Sequence, residues 1–163
     1  MNHKSLGCLC WKSDPITASL HTNRTGYVSG EMIKFNVEVE NLSNRDMDGT
    51  FLSLKEVVIY KTWSKNMTEE REVERLTRDE KISPRSSDYW QGTLKLPPLP
   101  PTGLGGSCSI IDVQYRYSTL HYSTLQYSTQ YRLDLHVDPS GPSFDLVVEL
   151  PITLGTIPLQ ESQ

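Results

Sequence analysis

The chain has 163 residues, enough for one domain with a sizeable core and too few for two independent ones. Sixteen basic and twenty acidic side chains leave a formal charge of -4, so no basic face is offered to nucleic acid. No apolar run approaches the roughly 20 residues that cross a bilayer, the polar start Met1-Asn2-His3-Lys4-Ser5 lacks the apolar core of a secretory signal, and three cysteines make no disulfide framework, so a cytosolic protein is expected.

Alternation of apolar and polar residues predicts strands along the chain. The first runs from Ile16 to His21. Gly26-Tyr27-Val28-Ser29-Gly30-Glu31 then suits a turn into a strand, because glycine accepts positive φ and a tyrosine can cap a sheet edge. In Met32 to Glu40, Ile33, Phe35, Val37 and Val39 share one face and Lys34, Asn36, Glu38 and Glu40 the other, the pattern of a half-buried strand. Asn41 to Arg45 is a turn-forming cluster. Further strands are expected at Leu52 to Trp63, Arg71 to Arg78, Tyr89 to Leu96, Ser109 to Tyr115, Tyr131 to Val137 and Phe144 to Thr153. Thr68 to Leu76 contains good helix formers, but only Val73 and Leu76 could form an apolar stripe. It reads instead as a hairpin turn at Lys65-Asn66 leading into an exposed, charged strand. Eight short strands separated by Gly, Pro, Asn and Ser clusters predict an all-β sandwich.

Several blocks taken in order resemble one family. Cys8-Leu9-Cys10-Trp11, Asp14-Pro15-Ile16, Gly26 to Glu31 (with Ser29 where relatives usually have proline), Val37 to Asn41, Trp90-Gln91-Gly92, Leu96-Pro97-Pro98, Cys108 to Tyr115 and Asp145 to Leu159 are similar to the C-terminal arrestin domain of the alpha-arrestins. The resemblance implies an immunoglobulin-like sandwich, normally the second of two arrestin lobes. It sets the domain at residues 16–159, after a leading segment 1–15 and before a tail 160–163.

One segment departs from that pattern. From Tyr117 to Gln130 the chain repeats Tyr-Ser-Thr-Leu/Gln with a five-residue period, between the duplicate pairs Tyr115-Arg116 and Tyr131-Arg132. An odd period places Tyr117 and Tyr127 on one face of an extended chain and Tyr122 on the other, so no clean apolar face results. The 115–130 segment is expected as an insertion outside the core: a looped-out excursion, an edge hairpin or disorder. A tyrosine-phosphorylation array is the sharper alternative.

No catalytic or metal constellation is visible. His3, His21, His121 and His136 are scattered, Cys8 and Cys10 lack zinc or redox spacing, and no phosphate-cradling glycine loop or nucleophile elbow occurs. No enzyme and no cofactor are expected. Cys8 and Cys10 beside Trp11 are candidates for acylation, against the plainer reading of small buried residues. Pro97 to Pro101 contains two Pro-x-x-Pro spacings, but in the family the place is a connector between strands. Asn23, Asn41 and Asn66 head glycosylation sequons that a protein without a secretory signal leaves unused.

The resemblance implies a non-enzymatic adaptor that binds cytoplasmic segments of membrane proteins and directs them into endocytosis. It would act in the cytoplasm, with peripheral residence at the plasma membrane or endosomes. Alpha-arrestins recruit WW-domain ubiquitin ligases through Pro-Pro-x-Tyr motifs, absent from these 163 residues, so that partner requires a tail outside this chain. The charged strand supplies the expected contact residues Glu70, Glu72 and Glu74. The alternative is a truncated structural lobe or scaffold without ligase-recruiting activity.

Overall fold

A computed structural model describes residues 2–6, 15–61, 65–103, 126–141 and 145–157. Nine strands and no helix occur among them: β1 (Asn2–Leu6), β2 (Ile16–Thr22), β3 (Gly26–Val28), β4 (Met32–Asn41), β5 (Met47–Lys61), β6 (Asn66–Arg78), β7 (Ser86–Lys95), β8 (Gln126–Pro139) and β9 (Leu146–Gly155). They form two sheets, β1-β2-β4-β7 and β3-β9-β8-β5-β6, antiparallel except where β3 runs parallel to β9.

The apolar faces of both sheets meet in one core. Strand β4 alternates without a break, burying Ile33, Phe35, Val37, Val39 and Asn41 while the residues between them face solvent. Leu52 and Leu54 of β5, Leu133 and Leu135 of β8, and Val148 and Leu150 of β9 supply the opposing layer. Each fully buried aliphatic side chain contributes about 1.5–3 kcal/mol of transfer free energy.

Several boundaries differ from the sequence reading. Strand β5 begins at Met47, before the expected Leu52. The ladder to β8 pairs Met47 with Pro139 and Gly49 with Asp138, so Asp48 is an extra residue that bends the strand. Asn66 opens β6 opposite Lys61 instead of forming the turn. The polar β1 and the three-residue β3 were not anticipated. The strand expected at Ser109 to Tyr115 and most of the Tyr-Ser-Thr segment lie outside the described residues. The last five residues of that segment are not an excursion: Gln126–Gln130 open β8, pair with Val57–Lys61 of β5, and bury Thr129. Within the described residues the strand holds one Tyr-Ser-Thr unit, Tyr127-Ser128-Thr129.

Candidate interaction surface

Among the described residues, strand β6 is a free edge of the five-stranded sheet, and it is exposed along most of its length. Val73 and Leu76, three residues apart, would point to opposite faces of a regular strand. Leu54 pairs with Glu74 while Lys55 pairs with Glu72, so Val73 is an extra residue in β6. The resulting bulge lets both Val73 and Leu76 pack against the core.

The charged residues of β6 engage the rest of the sheet unequally. Glu70 accepts a hydrogen bond from Arg132 Nη2 at 2.8 Å. Arg132 also donates to Asp134 at 2.9 Å, and Lys55 Nζ lies 2.9 Å from the same carboxylate, so this fully buried anion sits between two cations. Glu72 accepts from Arg75 Nε and Nη2 at 2.9 and 2.7 Å, and that bidentate bond holds its carboxyl below the usual range. Glu74 has no ion-pair or hydrogen-bond partner among the described residues. Arg71 donates twice to Glu56. Glu56 in turn lies 3.3 Å from the Tyr131 hydroxyl, which donates to Pro100 O at 2.9 Å. Burial, and then the Glu56 charge, push the Tyr131 phenol well above its ordinary value.

The structure therefore places Glu70, Glu72 and Glu74 together on the free edge without making them converge on one point. Glu70 and Glu72 lie on the outer sheet face, whereas Glu74 stands opposite Leu54 on the side toward the other sheet. At the end of β6, Arg78 crosses to the other sheet and grips Asp88 of β7 with Nε and Nη2 at 2.9 and 3.0 Å. Its guanidinium carbon is 6.0 Å from the Trp90 ring, which meets Phe35 edge-on at 5.1 Å. Sequence reasoning missed this clasp, because only the fold brings the two edge strands side by side.

Other features singled out in the sequence take definite places. Gly30 adopts φ 86°, Tyr27 donates to Arg24 O at 2.7 Å, and Glu31 accepts from the Val28 amide while pairing with Arg24 at 2.8 Å. The Gly-Tyr-x-x-Gly-Glu segment is thus a self-bonded corner. The proline run is a strap across the end of the sandwich. Ser29 Oγ bonds both the amide and the carbonyl of Leu99, Pro100 O accepts from Tyr131, and Thr102 bonds Leu154. Pro98, Pro100 and Pro101 remain exposed. Asn41, head of one sequon, is fully buried. Cys8 and Cys10 lie outside the described residues. Among the described residues, no group of three or more His, Cys, Asp or Glu could hold a metal ion, and no helix is long and apolar enough to cross a membrane.

Comparison with known proteins agrees with this architecture. Residues 12–159 match the family model described as arrestin (or S-antigen), C-terminal domain. The chain is 32% identical over 161 residues to arrestin domain-containing protein 4 of Homo sapiens, covering 95% of this chain and 32% of that protein. It is 28% identical over 106 residues to arrestin domain-containing protein 1 of Rattus norvegicus, covering 64% of this chain and 23% of that protein. The chain thus spans about a third or less of the length of these curated relatives. Among solved structures, the sporulation control protein Spo0M of Bacillus subtilis superposes with a TM-score of 0.58 at 12% identity, over 87% of this chain and 50% of that one, a likeness of fold alone. The chain belongs to the arrestin family, as a C-terminal arrestin domain of the alpha-arrestin kind.

Proposed function

We propose that this domain is a non-enzymatic adaptor lobe of the cytoplasm that binds cytoplasmic segments of membrane proteins and takes part in their trafficking and endocytosis. The observation that carries the reading is the charged edge of β6, where Glu69, Glu70, Glu72 and Glu74 are exposed with Arg71 and Arg75 between them, and Glu74 has no partner among the described residues. Cytoplasmic segments next to membrane spans carry an excess of Lys and Arg. Four exposed carboxylates along one strand suit such a segment, whose Lys and Arg can bind Glu74 and compete for the paired Glu70 and Glu72. WW-domain ligases enter only through a Pro-Pro-x-Tyr tail outside these residues. The test is binding of fluorescent juxtamembrane peptides, basic and charge-neutralised, to the wild-type chain and to the triple variant Glu70→Lys, Glu72→Lys, Glu74→Lys. The basic peptide should bind the wild type, weaken with salt, and lose at least about tenfold in affinity to the variant. Unchanged binding by a variant whose circular dichroism matches wild type would rule this edge out. Glu74→Lys alone is the cleanest probe, because it orphans no described partner.

A further inference from the structure

We propose that the edge of β7, free among the described residues, is a homodimerisation surface, on which a second copy of this chain lays its own β7 antiparallel about a two-fold axis at Gln91. This goes beyond the adaptor reading and does not depend on it. Antiparallel ladders bond at alternate residues. The Leu96 amide donates to Glu31 O at 2.9 Å. Stepping by two along the β4–β7 register therefore turns the backbone groups of Leu94, Gly92, Trp90, Asp88 and Ser86 toward β4. Those of Ser87, Tyr89, Gln91, Thr93 and Lys95 point off the sheet and have no partner among the described residues. All five side chains are exposed, Tyr89 at 59%. The strand is ten residues long, has no proline or bulge, and is charged only at Asp88 and Lys95. Strand β6, by contrast, carries seven charged side chains and a bulge, both of which discourage strand addition.

A second copy fits because this edge is self-complementary. With Gln91 opposite Gln91, Tyr89 faces Thr93 and Ser87 faces Lys95. Outward-pointing residues then meet their like, closing about ten backbone hydrogen bonds. The exposed sheet face is also dipolar. Glu38 and Glu40 stand beside Tyr89 and Ser87, while Lys34 stands beside Thr93 and Lys95 ends the strand. The two-fold brings the acidic end of each copy to the basic end of the other. Glu40 then lies two strand spacings, about 10 Å, from Lys95 of the second copy across the small Ser87, within reach of two long side chains. Two Tyr–Thr cross-strand pairs add contact, and the closed symmetry leaves no third copy a place at that edge.

Sedimentation velocity of the 163-residue chain, from low micromolar to hundreds of micromolar, should show a concentration-dependent species of twice 18.5 kDa. Gln91→Pro removes an outward amide without breaking a bond to β4, and should weaken dimerisation about tenfold or more while leaving thermal unfolding of the dilute monomer in place. A second test uses exposed charges only. The pairs Lys34→Glu with Lys95→Glu, and Glu38→Lys with Glu40→Lys, should each be monomeric alone and should form a heterodimer when mixed. A wild type that stays monomeric would overturn the proposal and leave the edge to an extended segment of another protein. A dimer indifferent to Gln91→Pro, or charge variants that do not associate when mixed, would overturn it equally.

Discussion

Asn41 closes the alternating run of β4, and its side chain does the work of several turns. Its Nδ2 donates to Arg45 O at 2.8 Å and Ser83 O at 3.0 Å, with Ile82 O at 3.3 Å, while its Oδ1 accepts from the amide and hydroxyl of Ser43 at 3.1 and 2.6 Å. Asn41→Asp keeps the acceptor but aims a second oxygen at three carbonyls. It should cost about 3 kcal/mol or more near neutral pH, measured by urea denaturation. Burial would raise the folded pKa of that carboxyl, so the loss should shrink as pH falls toward the ordinary Asp value and grow as pH rises through the raised one. His136 works in the opposite sense. Its ring stacks on Phe51 at 4.3 Å and 9°, its Nε2 is buried without a partner among the described residues, and Arg75 lies 4.1 Å over the same Phe51. Burial first, then Lys55 and Arg75, hold its pKa below 6.5 against the opposing pull of Asp134 and Asp145. The folded state thus favours the neutral ring: its stability is full above the unfolded pKa and declines as pH drops through the lower folded one. His136→Phe keeps the stack and removes the proton site. It should flatten the fall in melting temperature between about pH 7 and pH 5.

At the scale of the element, Trp90 and Gly92 are linked through packing. A Cβ at position 92 would lie 2.8 Å from the Phe35 ring, so the glycine makes the space in which Phe35 meets Trp90. Gly92→Ala should cost about 1–3 kcal/mol in chemical denaturation. Combining it with Phe35→Leu should cost less than the sum of the two single changes, because the shortened side chain relieves the clash. Much of the strand content was legible where alternation is strict, as in β4, or where charge marks an edge, as in β6. The bulge at Val73 was not, because nothing local distinguishes an extra residue from an in-register one. It shows only as an apolar pair at odd spacing that must reach one core. Strand β1 was missed because Asn2–Leu6 is polar, and its partner β2 supplies the ladder. The opening of β8 inside the Tyr-Ser-Thr segment is not legible locally, because the five-residue period gives no clean face and it is the pairing with Val57–Lys61 of β5 that draws Gln126–Gln130 into a strand. Of the candidate edge, the exposure of Glu70, Glu72 and Glu74 was legible. The ion pairs of Glu70 with Arg132 and Glu72 with Arg75 depend on register and side-chain reach, and Arg132 lies 62 residues away in sequence.

For the whole molecule, the question is what ties the two sheets together along their open side. The core fills the space between them, but β6 and β7 are edges of different sheets and share no ladder. Arg78 is the polar tie, with side-chain exposures of 27% for Arg78 and 18% for Asp88. The pair is half-buried, and its two-pronged geometry and the Trp90 face beneath it restrict where β6 can sit. A double-mutant cycle of Arg78→Ala and Asp88→Ala should return a coupling of about 1 kcal/mol, reduced in high salt. Hydrogen exchange separates a tie between sheets from an ordinary surface pair. Arg78→Ala should speed exchange in both β6 and β7, whereas Arg75→Ala, which removes the Glu72 pair and the Phe51 contact within the five-stranded sheet, should leave β7 unchanged. If β7 is indifferent to both, the clasp is only a surface pair, and the core alone holds the two edges in place.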